Sequence, residues 1–440
     1  MGGTPMLHSA NMMQDWFLDA KLGIFIHYGI YAVKGIDESW SFFNGKISHE
    51  DYMAQCEGFT ASKYDPDAWA DLFDRAGAKY AVLTTKHHDG VALWDTQAND
   101  LSVVKKTPAA TDLITPYVEA LRNYGLKVGF YFSQLDWSHP DYASVRPEQH
   151  RDDPDDQLNP FAYPRKGQKD PSRWERYLKF HRQQIKELCT EFGKVDLLWF
   201  DGDWERDERQ FRMKELRDEI HAMQPEVVIN SRMLGYGDYA TPEQGQPVVA
   251  PDGPWEFCVT INDSWGYQVQ DHNHKSVRQI VRLCAECFGL GGNVLLDVGP
   301  YEDGTLQPEQ IDRLEGLGRW MKKHASAIYG TRAGIPAGLF YGPTTASKDG
   351  KELNLFFFDV PIDQIVVRGV LGIIKRITVV GSGQELTYKR IGSADWCEIP
   401  GNLYIDFPLD FEDSEIDPDC TVVKVEFEAP FTTSLSPGRS

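Results

Sequence analysis

Apolar positions along residues 16–329 follow two alternating rhythms. Short unbroken apolar runs, "LGIFIHYG" (22–29), "YAVLTTKHHDG" (80–90), "LKVGFYFS" (126–133), "VDLLWFDG" (195–202), "EVVIN" (226–230) and "GGNVLLDVG" (291–299), predict parallel strands buried on both faces. Between them the spacing changes to three and four. In "PDAWADLFDRAGAKY" the residues Trp69, Leu72, Phe73 and Ala76 share one helical face, and Gly77 follows as a stop. Trp174, Tyr177, Leu178, Ile185 and Leu188 repeat that plan, and further helices fit 113–124, 208–223, 275–289 and 308–324. Strand–helix units repeated in this way predict an α/β fold, a (β/α)8-like (TIM-type) barrel, with a doubly wound sheet as rival. No G-x-G-x-x-G follows a strand, which argues against the dinucleotide-binding version of that rival.

After Gly330 the rhythm becomes two. "ELNLFFFDV", "IKRITVVG", "ELTYKRIG", "NLYIDF" and "TVVKVEFE" have strand length and partial alternation, separated by turn residues. They predict a C-terminal antiparallel β-sandwich. The expected division is a barrel over 1–332, a sandwich over 333–430 and a loose tail over 431–440. The aperiodic, proline- and charge-rich stretch 138–171 follows a strand and reads as an insertion framing a site.

Charge narrows the partners. With 66 Asp and Glu against 45 Lys and Arg the net charge is −21, which argues against nucleic acid and anionic membrane surfaces. No apolar run reaches membrane-spanning length. "MGGTPMLHSA" has no basic stretch leading into an apolar one, so no signal peptide is expected in it. The compartment stays open: periplasmic or secreted if a leader was removed, cytoplasmic otherwise. Seven scattered cysteines, Cys284 and Cys287 among them on a helical pattern, read as buried free thiols rather than a zinc or redox site. Nothing in the sequence argues for or against a homo-oligomer.

In a barrel, reactive groups gather where strands end. Here four strand ends carry "HYG", "HHDG", "FSQLDW" and "FDGDW". Asp201 closes the fourth. It lies two residues beyond Trp199 and therefore on the same side of the strand if the strand stays regular to its end. Gly202 is expected to break the strand there and leave Asp203, Trp204 and Glu205 to shape the loop. His87 and His88 are adjacent, so in a regular strand they point to opposite faces and do not chelate one metal together. A metal site of His27, His87 and Asp201 is the alternative. In "PWEFCVTINDSWGYQ", Glu256 sits between Trp255 and Phe257, where an apolar setting would raise its pKa as a general acid requires. Asp201 with Glu256 supplies the two carboxylates that glycoside hydrolysis needs.

"DWFLDAKLGIFIHYGIYAV", "YDPDAWADLFDRAGAKYAVLTTKHHDGVALWDT", "DLLWFDGDWE", "PWEFCVTINDSWGY" and "GGNVLLDVGPYEDGT", in this order, resemble the α-L-fucosidases of glycoside hydrolase family 29. The resemblance implies a barrel followed by a β-sandwich, and a retaining exo-hydrolase that removes terminal α-L-fucose from a fucosylated glycan without a metal or organic cofactor. It implies Asp201 as nucleophile. His27, His87, His88, Tyr131, Trp199 and Arg232 match the family's substrate contacts, and Trp40 in "GIDESWSFF" is a further contact. Many members have Glu directly before that Trp; here Ser39 intervenes, which sets Glu38 apart from the pattern. For the acid/base the expectation is Glu256, with Glu243 in "TPEQ" as runner-up. A non-catalytic fucose-binding protein on the same fold is the other rival.

Overall fold

The structure, a computed structural model, describes residues 13–142, 171–361, 363–394, 399–407 and 416–434. Most of the expected insertion, and the tail beyond Ser434, lie outside the described residues.

Seven parallel strands form one curled sheet: β1 (Leu22–Ile26), β2 (Tyr80–Lys86), β3 (Lys127–Ser133), β4 (Leu197–Asp201), β5 (Val228–Ile229), β6 (Glu256–Thr260) and β7 (Asn293–Val298), in the order β5-β4-β3-β2-β1-β7-β6. Strand residues alternate between two cores, as the pleat requires. Phe25, Tyr131, Leu197, Trp199, Cys258 and Leu295 face inward and pack on one another. Ile24, Ile26, Phe130, Leu198, Phe200 and Leu296 face outward and pack with residues of the helices. Helix Pro66–Ala76 shows how the sequence builds that outer layer. The Asp65 side chain caps its first turn, Pro66 opens it, and Gly77 at φ +90° ends it.

Some details differ from expectation. The sheet has seven parallel strands among the described residues. Its edges, β5 and β6, are joined by single parallel bridges, Asn230 to Tyr239, Ala240 to Trp255 and Glu243 to Cys258. Pro242 lies in this connecting segment and has no N–H to give, so an unbroken ladder cannot form there. The sequence also hides β6, whose inward positions include Glu256 and Thr260, polar groups that break the apolar run expected of a buried strand. The helix expected over 208–223 is two, Glu208–Phe211 and Met213–Met223, divided at Arg212 with φ +54°.

Beyond Gly330 the sheets among the described residues are antiparallel: one of five strands, one of three and one of two. Leu353, Leu355 and Val425 of the five-stranded sheet and Val367, Leu403 and Ile405 of the three-stranded sheet share one apolar core. Thr432–Thr433 pairs with Val370–Leu371, so the first residues of the expected tail are strand.

Candidate active site

At the carboxyl ends of β1 to β4 lies a cavity of about 120 Å³. For scale, an engineered cavity of about 150 Å³ accepts benzene, so this one has room for about one six-membered ring. Asp201 ends β4 inside it. Gly202 then turns the chain away at φ +90°, and a Cβ placed there would meet the Leu135 side chain at 2.4 Å. Asp201 is thus the last residue held by the sheet before the loop.

Three donors converge on its carboxylate. The Tyr131 hydroxyl donates to Oδ2 at 2.9 Å, Arg232 Nη1 to Oδ1 at 2.7 Å, and the Gly202 amide to Oδ1 at 2.9 Å. His88 Nε2 is 3.7 Å from Oδ2. The second terminal nitrogen of Arg232 donates to Glu243, which also lines the cavity. One guanidinium therefore holds both carboxylates while lying over the Trp199 ring, 4.7 Å from its centroid. Burial works against the Arg232 charge, but Asp201 and Glu243 outweigh it and keep the group firmly protonated.

Each histidine is fixed by its Nδ1 atom. For His27 the partner is Asp297 Oδ1 at 2.6 Å, for His87 Ser39 Oγ at 2.7 Å, and for His88 Ser133 Oγ at 2.5 Å. Burial lowers all three pKa values well below the ordinary range, so the rings are neutral. His27 and His87 line the cavity with Nε2 left to meet a ligand, whereas His88 does not line it and turns its Nε2 toward Asp201. Burial likewise raises Asp297 well above the carboxylate range. Asp297, Ser39 and Ser133 did not stand out in the sequence. The signal for Asp297 was a lone acid near the end of an apolar run, "NVLLDVG".

Aromatic rings complete the walls. Trp265 lies 5.0 Å from His27, and Trp40 lies 5.6 Å from His88 and 5.7 Å from Trp204, centroid to centroid. Glu38 does not line the cavity. It is buried, accepts the Gly266 amide and so pins the loop carrying Trp265, with burial pushing its pKa up to about 7.

The two glutamates separate in depth. Glu243 reaches the cavity with its side chain 38% exposed. Glu256 points inward from the start of β6, wholly buried below the cavity. It accepts from the Tyr80 hydroxyl at 2.5 Å and from Trp199 Nε1 at 3.0 Å. Burial raises its pKa to about 7 against the pull of those bonds. Of the other acids, Asp203 is raised by burial near Arg232 and Asp201. Glu205 is buried and accepts from Trp137 Nε1 and the Tyr142 hydroxyl. Among the described residues no trio of His, Cys, Asp or Glu side chains is arranged to hold a metal, and Cys284 and Cys287 are buried free thiols.

A carboxylate at a rigid strand end, a second at the cavity mouth, neutral imidazoles and indole walls together suit a small polyhydroxylated ring with a bond to break. Comparison with known proteins agrees. The α-L-fucosidase family model matches residues 4–326. Tissue alpha-L-fucosidase of Bos taurus is 30% identical over 347 residues, spanning 72% of this chain and 69% of that protein. Among solved structures, alpha-L-fucosidase isoenzyme 1 from Paenibacillus thiaminolyticus superposes with a TM-score of 0.83 at 34% identity, covering 95% of this chain and 100% of that one. The Thermotoga maritima alpha-fucosidase, solved with a mechanism-based inhibitor, gives 0.75 at 30% identity, covering 94% and 96%. The chain belongs to the α-L-fucosidase family and is a glycoside hydrolase.

Proposed function

We propose that this chain is a retaining exo-α-L-fucosidase acting on fucosylated oligosaccharides or glycoconjugates by double displacement. The observation that carries it is the pair Asp201 and Glu243, held on one guanidinium at the wall of a single-ring cavity. An exo-enzyme needs such a small pocket, open on one side, for the terminal sugar. We also read the seven strands and the bridging segment 239–243 together as a barrel of the (β/α)8 type.

In the first step Asp201 attacks the anomeric carbon, the glycosidic C–O bond breaks, and Glu243 gives its proton to the leaving oxygen. In the second, the Glu243 carboxylate takes a proton from water, whose oxygen displaces Asp201. Glu243 replaces Glu256 in this role because a proton donor must reach the leaving oxygen, and Glu256 lies beneath the cavity with its oxygens occupied. On this reading His27, His87 and Arg232, which line the cavity, hold the ring hydroxyls, His88 supports Asp201 from behind, and Trp40 and Trp199 meet the apolar side of the ring.

Asp201→Gly tests the assignment. Hydrolysis of an aryl α-L-fucoside should fall on the order of 10³-fold or more, and azide should restore release of the aryl group as fucosyl azide. Near-normal turnover in that variant would end the nucleophile assignment. Insensitivity to chelators, with no stoichiometric metal in elemental analysis, separates this chemistry from the metal-dependent alternative.

A further inference from the structure

Trp204 is the one tryptophan classed as exposed among the described residues, at 38%, and it sits at the rim of the cavity. Trp40 packs against it in a stacked arrangement at 5.7 Å and 27°. His88 meets it edge-on at 5.5 Å and 89°. The indole is therefore held in place while much of it faces water, and holding a large apolar ring in water forgoes the free energy of burying it.

Volume and chemistry say what covers it. The cavity takes about one ring, so whatever is bonded to the anomeric oxygen must lie outside. Glu243, which reaches that oxygen on the proposed mechanism, lines the same cavity and is partly exposed. A pyranose next to the scissile bond presents a face of C–H groups, and such a face packs against the electron-rich face of an indole.

We propose that Trp204 is the platform for the sugar that leaves, a binding site for a pyranose adjoining the fucose cavity. The proposal rests on the fucosidase reading and goes beyond it to the part of the substrate that is released. It makes the preferred substrate a fucosyl glycan rather than a fucoside with a small leaving group.

Two substrates with the same fucosyl group separate the effects: α-L-fucosyl fluoride, whose leaving group is a single atom, and the fucosylated disaccharide that the enzyme cleaves fastest. The test compares kcat/KM on both for the wild type, Trp204→Ala, Trp204→Phe and Trp204→Leu. Trp204→Ala should lower the disaccharide-to-fluoride ratio on the order of ten-fold. Trp204→Phe should recover most of it. Trp204→Leu, which keeps apolar bulk without a flat face, should not, and it serves in place of the alanine variant if that one fails to fold. Equal losses on both substrates would assign Trp204 to the shape of the fucose cavity and overturn the platform. The platform also fails if the wild type cleaves the fluoride but no fucosylated disaccharide. Failure of the wild type on the fluoride itself would instead sink the fucosidase reading.

Discussion

Asp201, Glu243 and Glu256 are three carboxyl groups whose chemistry is set by depth. Asp201 meets three donors at a strand end, Glu243 meets one guanidinium near solvent, and Glu256 is sealed beneath Trp199. Removing Glu243 as Glu243→Ala should abolish the alkaline limb of the pH–rate profile and slow poor leaving groups most; a profile unchanged from wild type would return the acid/base to another group. Glu256→Gln should keep that limb, because an amide oxygen can still accept from Trp199. Glu256→Leu leaves the Tyr80 and Trp199 donors unpaired in the interior, at about 1–3 kcal/mol each. It should lower both the unfolding temperature and kcat, since Trp199 underlies Arg232. The position of Asp201 at a strand end, on the same side as Trp199, was legible in the sequence through strand parity. Which glutamate reaches the cavity was not, because Glu243 follows Pro242 outside any periodic run, whereas Glu256 has the apolar neighbours expected of a general acid.

Among the elements, β4 is the one whose ending matters most. It stops at Asp201 because Gly202 adopts φ +90°, where a side chain is strained and would also meet Leu135. Gly202→Ala should therefore cost about 1–3 kcal/mol and displace Asp201. Calorimetry should show a lower unfolding temperature and kinetics a lower kcat with KM less affected; wild-type values for both would show that the turn is not under this constraint. Most strands and helices were readable from the two rhythms because both faces of the sheet are apolar over most of its width. The exceptions are physical. β6 carries polar groups inward, and the 239–243 segment pairs only at single bridges around Pro242, so neither produces a strand-like pattern.

Over the whole molecule, buried acids link stability to pH. Glu38 and Glu256 both have folded pKa values raised by burial to about 7 from 4.5. Groups raised in this direction favour the folded state fully below pH 4.5, and that contribution is lost as pH climbs through about 7. The loss is roughly 3 kcal/mol for each group, and the net charge of −21 pushes the same way at high pH. Unfolding temperatures measured from pH 5 to 8 should fall for the wild type and fall less for Glu256→Gln; parallel curves would count against a protonated Glu256 in the fold. The layer in which Glu256 sits has a kinetic consequence as well. Tyr80 and Trp199 both donate to Glu256 beneath the cavity, and its most exposed residues, Glu243 and Trp204, mark the side open to water. On the proposed double displacement, the released glycan vacates that open side before water reaches the fucosyl group on Asp201. Any alcohol that arrives there first competes with water for it, so added acceptor sugars should divert part of the flux from hydrolysis into transfer.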